Sequence, residues 1–257
     1  MKTITLITFL TLGGGAIGFA HLSYTGRDFG TLDPGNQTTS STKSGNISST
    51  FGWAYSTDFD LGDSHRNRAF RFTLATAGQV TLSAQASGIG NPLLPALSVY
   101  SGLAHLAPDA LDHDGSAIST AYLTGLFGAP DIAQGTFNAL GDWRIGNDAV
   151  APAISSLSDF TYMGNMADGT STNYGSASGI NGDGTADGYV TGSFNLPAGT
   201  YTIMVGGAEY LTNPPVLPVG GAYPTYATNV TVSVVPEVSS SLLVGFSCLG
   251  FALRRPR

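Results

Sequence analysis

Cysteine is almost absent: the chain has one in 257 residues, Cys248. No intramolecular disulfide can form, so stability has to come from packing, hydrogen bonds or metal. Lysine is nearly absent as well, with only Lys2 and Lys43. Charged residues make up 11% of the chain, 10 Lys+Arg against 17 Asp+Glu, for a net charge of -7. Such a surface, without a basic stripe, repels nucleic acid and anionic lipid, and no nucleic-acid partner is expected. Glutamate is confined to Glu209 and Glu237, and the remaining acids are aspartates. Aspartate among 35 glycines and abundant Ser, Thr and Asn is turn chemistry that disfavours long helices. Between the termini there is no thiol nucleophile, no Gly-x-Ser-x-Gly elbow and no phosphate-binding glycine loop. Asp63-Ser64-His65 is not a triad, because adjacent residues of a strand point to opposite faces. No pair among the aspartates stands out for glycoside hydrolysis.

What is present begins at the ends. Residues Met1 to Ala20 run from a basic start at Lys2 through an apolar stretch, Ile4 to Phe19, to a small-residue exit. This is the order of a secretory signal peptide rather than a stable span. Gly18 and Ala20 suit a cut after Ala20, and Ala16 and Gly18 suit a cut after Gly18. The other end places Val235-Pro236-Glu237-Val238 before a mainly apolar run, Ser239 to Leu253, and closes on Arg254, Arg255 and Arg257. The run is shorter than the roughly 20 residues that span a bilayer comfortably. The arginines would stay cytoplasmic, leaving the preceding residues outside.

This order of motif, membrane segment and basic stop resembles the PEP-CTERM sorting signal recognised by exosortase enzymes of Gram-negative bacteria. Pro236 and Glu237 are the sorting motif, Arg254, Arg255 and Arg257 the basic stop, and Val238 stands where the family has its second proline. The resemblance implies a transient inner-membrane anchor, an exosortase-type processing enzyme as partner, and an association with exopolysaccharide and biofilm. A simple tail anchor is the alternative.

Between the signals, residues 21–50 read as an extended lead-in with one early strand. Phe70, Phe72 and Leu74 alternate with polar residues, Ala75 to Gly78 turns, and Val80, Leu82 and Ala84 alternate again, predicting a hairpin with one buried face. Leu94 to Tyr100 is a further strand. Val190 to Leu196 leads through Pro197-Ala198-Gly199 into Thr200 to Gly207 as a similar unit, and Thr228 to Val235 is the last strand. Short helices are expected at residues 117–126 and 135–143. Phe-x-Leu-Ala-Thr-Ala-Gly-x-Val-Thr-Leu and the later Phe-x-Leu-Pro-Ala-Gly-Thr-Tyr-Thr-Ile resemble the bacterial pre-peptidase C-terminal type of sandwich. That likeness implies binding or spacing rather than catalysis. Trp53, Tyr55, Phe70 and Phe72 read as core.

Three clusters carry candidate chemistry. In 181–188, Asn181, Asp183 and Asp187 place oxygen at every second position or nearly so among glycines, a spacing that suits calcium, although a plain Asp-Gly turn explains the same residues. Asp109, Asp112, His113 and Asp114 form a second acidic cluster. A cut after Ala20 would leave His21 as the terminal residue, half of a copper histidine brace whose second imidazole would be His65, His105 or His113. Tyr210, Tyr223 and Tyr226 are the aromatics available to a carbohydrate site.

The expectation is an all-β protein: an antiparallel jelly-roll-like β-sandwich with long Gly/Asp/Ser-rich loops and one or two short helices. N-terminal signal and C-terminal membrane helices flank it. The domains are 1–20 signal peptide, 21–234 sandwich and 235–257 sorting signal. The function expected is that of an exported, non-enzymatic structural or adhesive component of the cell surface or extracellular matrix. The alternatives are a carbohydrate-binding module for exopolysaccharide and, more remotely, a copper polysaccharide oxygenase using His21. No cofactor is expected, with calcium the one entertained.

Overall fold

The computed structural model describes residues 22–35, 39–54, 61–64, 66–104, 136–145, 158–170, 179–209 and 224–234. The signal peptide, the sorting tail, the helix predicted at 117–126 and all four histidines lie outside these residues. Among the described residues there is no helix, and the architecture is the all-β sandwich that the alternation of apolar residues predicts.

The described residues form twelve strands in chain order: β1 Asp28–Leu32, β2 Thr39–Ser48, β3 Leu61–Asp63, β4 Arg68–Leu74, β5 Gly78–Ala86, β6 Pro95–Ser101, β7 Thr136–Asn138, β8 Trp143–Ile145, β9 Ser158–Ala167, β10 Tyr189–Leu196, β11 Gly199–Gly207 and β12 Thr225–Val234. One sheet has the order β1-β4-β11-β6-β9-β8 and the other β10-β5-β12-β2, with β3 and β7 as a separate ribbon. All ladders are antiparallel except β1 with β4.

The expected hairpin is corrected. β4 and β5 do not pair with each other; β4 pairs with β11 and β1, while β5 pairs with β10 and β12. The turn at 75–77 instead carries the chain from one sheet to the other, and 197–198 does the same between β10 and β11. The two crossings stack, with Leu74 opposite Gly199 and Gly78 opposite Leu196. Period-two alternation puts the same side chains inward whether the chain folds beside itself or over itself, so the pattern alone cannot separate the two.

The main core fills the space between the sheets. Phe70, Phe72 and Leu74 meet Val80, Leu82 and Ala84 from across the turn, with Ile203 and Val205 from β11 and Val230, Val232 and Val234 from β12. Phe72 and Tyr201 stack at 5.0 Å between ring centroids, and the Tyr201 hydroxyl donates to the Pro197 carbonyl (2.6 Å). Opposite sheets come close at β9 and β10, where glycine makes room: a Cβ at Gly164 would meet Phe194 Cε1 at 2.9 Å and one at Gly192 would overlap Met166.

The larger sheet is also covered on its outer face, which is why β6 and β11 are buried at almost every position. A second cluster there joins Leu22, Tyr24, Trp53, Ala96, Tyr100, Phe160 and Met204. The helix predicted over 135–143 is corrected to strand, turn and strand. Asn138 Oδ1 accepts the Leu140 N–H (3.1 Å), and Asp142 Oδ1 accepts the Tyr162 N–H (2.8 Å). The carbonyls of Asn138 and Ala139 accept the hydroxyls of Tyr100 and Ser98. Local side-chain bonds and β6 thus take the groups a helix would use internally.

Candidate functional site

Residues 179–188 run beside the end of β9, held by Ala167 N–H to the Asn181 carbonyl (2.9 Å) and Asp183 N–H to the Ala167 carbonyl (3.0 Å). Asp183 Oδ1 accepts the N–H groups of Gly169 (3.0 Å) and Thr185 (3.1 Å), and Asp187 Oδ1 accepts that of Tyr189 (3.0 Å). The Asn181 amide donates to the Asn165 carbonyl (3.2 Å). These three side chains therefore fasten the loop to the end of β9 and the start of β10, with one bond, Asp183 to Thr185, inside the loop.

The residue that organises the loop was missed from sequence. Asp168 is buried, its two carboxylate oxygens taking the N–H groups of Asp187 (3.0 Å) and Gly188 (2.7 Å). Burial pushes its pKa up to about 6; the two N–H donors pull against that, and the carboxylates of Asp183 and Asp187 add to the rise. A raised carboxyl pKa means that the folded protein holds the proton more tightly than the unfolded chain does. The stability linked to this group is therefore largest below the unfolded pKa, is lost as pH rises through about 6, and changes no further above that. Asp168→Asn keeps a neutral side chain at every pH. Urea midpoints at pH 4.5 and 7.5 are expected to fall less between the two in the variant than in the wild type.

Other sequence candidates are separated. Asp109, Asp112, His113, Asp114, Tyr55, Tyr210 and Tyr223 lie outside the described residues, as do Pro236, Glu237, Arg254, Arg255 and Arg257. Tyr226 is half-buried and packs against the main core rather than standing free as a sugar platform. Ser64 is buried in the turn after β3, and among the described residues its hydroxyl has no hydrogen-bond partner, nor has the buried amide of Asn67.

The open face of the smaller sheet has a different chemistry. Its middle row crosses the four strands as Thr42, Thr231, Ser83 and Thr191. The flanking rows are Ser, Thr, Asn and Gln, with Tyr189 at one corner. Hydroxyls are tied across strands, Thr42 to Thr231 (2.8 Å), Thr81 to Ser193 (2.9 Å) and Ser233 to Ser40 (2.9 Å), while Ser44 donates to Asn229 Oδ1 (2.7 Å). No Asp, Glu, His, Lys or Arg lies in these three rows, because Lys43 alternates to the other side of β2 opposite Val230.

Among the described residues no three His, Cys, Asp or Glu side chains are placed to hold a metal ion. No family model and no curated protein matches the chain. Solved structures do resemble it. CorA, a surface-associated copper-binding protein important in copper acquisition by Methylomicrobium album BG8, is 19% identical, with a TM-score of 0.47 over 80% of this chain and 97% of that one. The secreted protein MopE of Methylococcus capsulatus, solved after a mercury soak, has an oxidised tryptophan that facilitates copper binding. It is 17% identical, with a TM-score of 0.42 over 79% of this chain and 87% of that one. At such identities no residue's role carries over. The comparison does correct one expectation: both proteins bind copper, and on that finding the expectation of no cofactor, or of calcium alone, is withdrawn. The described residues supply no imidazole or thiolate for copper. Imidazole and thiolate are its preferred donors, and His21, His65, His105, His113 and Cys248 all lie outside them.

Proposed function

We propose that the chain is an exported, non-enzymatic protein of the cell surface or extracellular matrix, structural or adhesive in role. It is delivered by a secretory leader and released from a transient inner-membrane anchor by an exosortase-type enzyme. The observation that carries this reading is the ordered tail, motif then apolar run then arginines, set directly after the last strand. β12 ends at Val234, and Pro236-Glu237 follows with Val235 between, so a cut at the motif leaves every strand among the described residues intact. The acidic, lysine-poor composition supports a role away from nucleic acid.

Lys43 supplies the test, being the single lysine between residues 21 and 234. A membrane-impermeant amine reagent applied to intact cells of the host is expected to mark the peptide that contains Lys43. Marking only after lysis would contradict export to the surface.

A copper-binding role is the second reading, favoured by one position. A leader cut after Ala20 makes His21 the terminal residue, and its amine and imidazole are a nitrogen pair of the kind copper takes. Copper retained by the processed protein after desalting, and lost in His21→Ala, supports this. Equal retention by His21→Ala would contradict it.

A further inference from the structure

We propose that the open face of the β10-β5-β12-β2 sheet is a docking surface for a neutral, hydroxyl-rich polymer, that is, an uncharged polysaccharide. The inference rests on the surface location proposed above and names what the protein would hold there.

Chemistry excludes the other occupants in turn. A nucleic acid or anionic polymer needs cations, and the face has none. A lipid surface needs apolar side chains, whereas the rows are hydroxyls and amides. A second copy of the chain needs area. Four strands about 4.8 Å apart and eight to ten residues long at about 3.4 Å each present about 600 Å². A stable protein interface takes about 800 Å² from each partner. A thin polymer needs far less, and it contacts a flat sheet along its length.

Three features fit a sugar chain. The cross-strand hydroxyl bonds hold Thr42, Thr231, Thr81 and Ser193 in fixed orientations, so little side-chain entropy is lost on contact. Each hydroxyl has two acceptor sites and one donor, so a single cross-strand bond leaves capacity directed outward. Only two large apolar side chains among the described residues are exposed, Ile89 and Tyr189, and Tyr189 belongs to this face. At its corner a phenol ring is available to the C–H face of a sugar, beside Gln85 in the neighbouring strand.

The test is depletion of the protein, purified from its host, by suspended cellulose and by curdlan, two neutral glucans, with polygalacturonate as the anionic comparison. Retention by at least one neutral glucan is expected, together with none by polygalacturonate. Tyr189→Ala is expected to weaken binding about tenfold, the scale of a lost aromatic contact. Thr231→Glu, which sets a charge in the middle row, is expected to abolish it, and Ile89→Ser at a loop tip outside the face to leave it unchanged. Each variant is compared at a wild-type unfolding midpoint; if one of the two face variants fails that control, the other decides.

Loss of retention in Ile89→Ser as great as in Tyr189→Ala would overturn the proposal. So would preference for polygalacturonate, no retention at all, unchanged retention by the face variants, or a dimer in sedimentation that Thr231→Glu dissolves. None of these outcomes bears on the leader and tail, which are read by the mass of the processed chain.

Discussion

Trp53→Ala is expected to lower the unfolding free energy by about 3–5 kcal/mol, the range for emptying a buried aromatic site. Trp53 is 1% exposed on the outer face of the larger sheet. Its backbone N–H donates to the Gly207 carbonyl (3.1 Å), and its indole N–H donates to Ser98 Oγ (2.8 Å). Ser98 in turn donates to the Ala139 carbonyl (2.7 Å). Ser98 thus ties β6 to the turn that replaces the expected helix, with the Trp53 indole donating to the same hydroxyl. Trp53→Phe separates volume from hydrogen bonding. It keeps most of the ring but leaves Ser98 Oγ without its donor, and should cost about 1–3 kcal/mol. Chemical unfolding checks both, and equal losses for the two variants would mean that the ring's volume is not what holds the layer.

The second large effect comes from adding one methyl group. A Cβ at Gly207 would lie inside contact with the Thr50 carbonyl and 2.6 Å from the Phe51 nitrogen. These are backbone atoms and cannot rotate away. Their position against β11 is fixed by Trp53 N–H to the Gly207 carbonyl (3.1 Å) and Glu209 N–H to the Thr50 carbonyl (3.0 Å). Gly207→Ala therefore has to separate β11 from the 50–53 segment and is expected to cost roughly 3 kcal/mol, the upper end of the usual range for overpacking. Because Trp53 sits on that same segment, its fluorescence should shift to the red in the folded variant. Unchanged stability would mean that the two backbones do not run this close.

The strands legible in the sequence are those whose inward positions are apolar. Phe70, Phe72 and Leu74, then Val80, Leu82 and Ala84, announce one buried face, as do Ile203 and Val205. β2 is ten residues long and was read only as part of a lead-in, because Thr39-Ser-Ser-Thr-Lys-Ser-Gly-Asn-Ile-Ser48 places polar residues in both phases and gives the alternation no contrast. β9 was missed for a related reason. Its buried positions include Asn165 and Gly164 sits within it, so a polar amide and a glycine break the apolar period. The connection between β4 and β5 was legible as a turn but not as a crossing, since both put the same residues inward.

Site legibility divides along the same line. Residues 181–188 announce a loop through local Asp-Gly chemistry, which needs nothing from the rest of the fold. Asp168 becomes special only when β9 and the loop are brought together and water leaves its carboxylate. The hydroxyl face likewise exists only after β2 and β10, far apart in the chain, are placed at the two edges of one sheet.

The central claim, processing at both ends around an intact sandwich, is tested most directly by intact mass of the protein from its host, measured separately in membrane and extracellular fractions. The expected species lacks both Met1 to Ala20 and the residues after Pro236 or Glu237. A chain that keeps Arg254, Arg255 and Arg257 and is found in the membrane fraction alone would contradict that claim, making the protein a tail-anchored one.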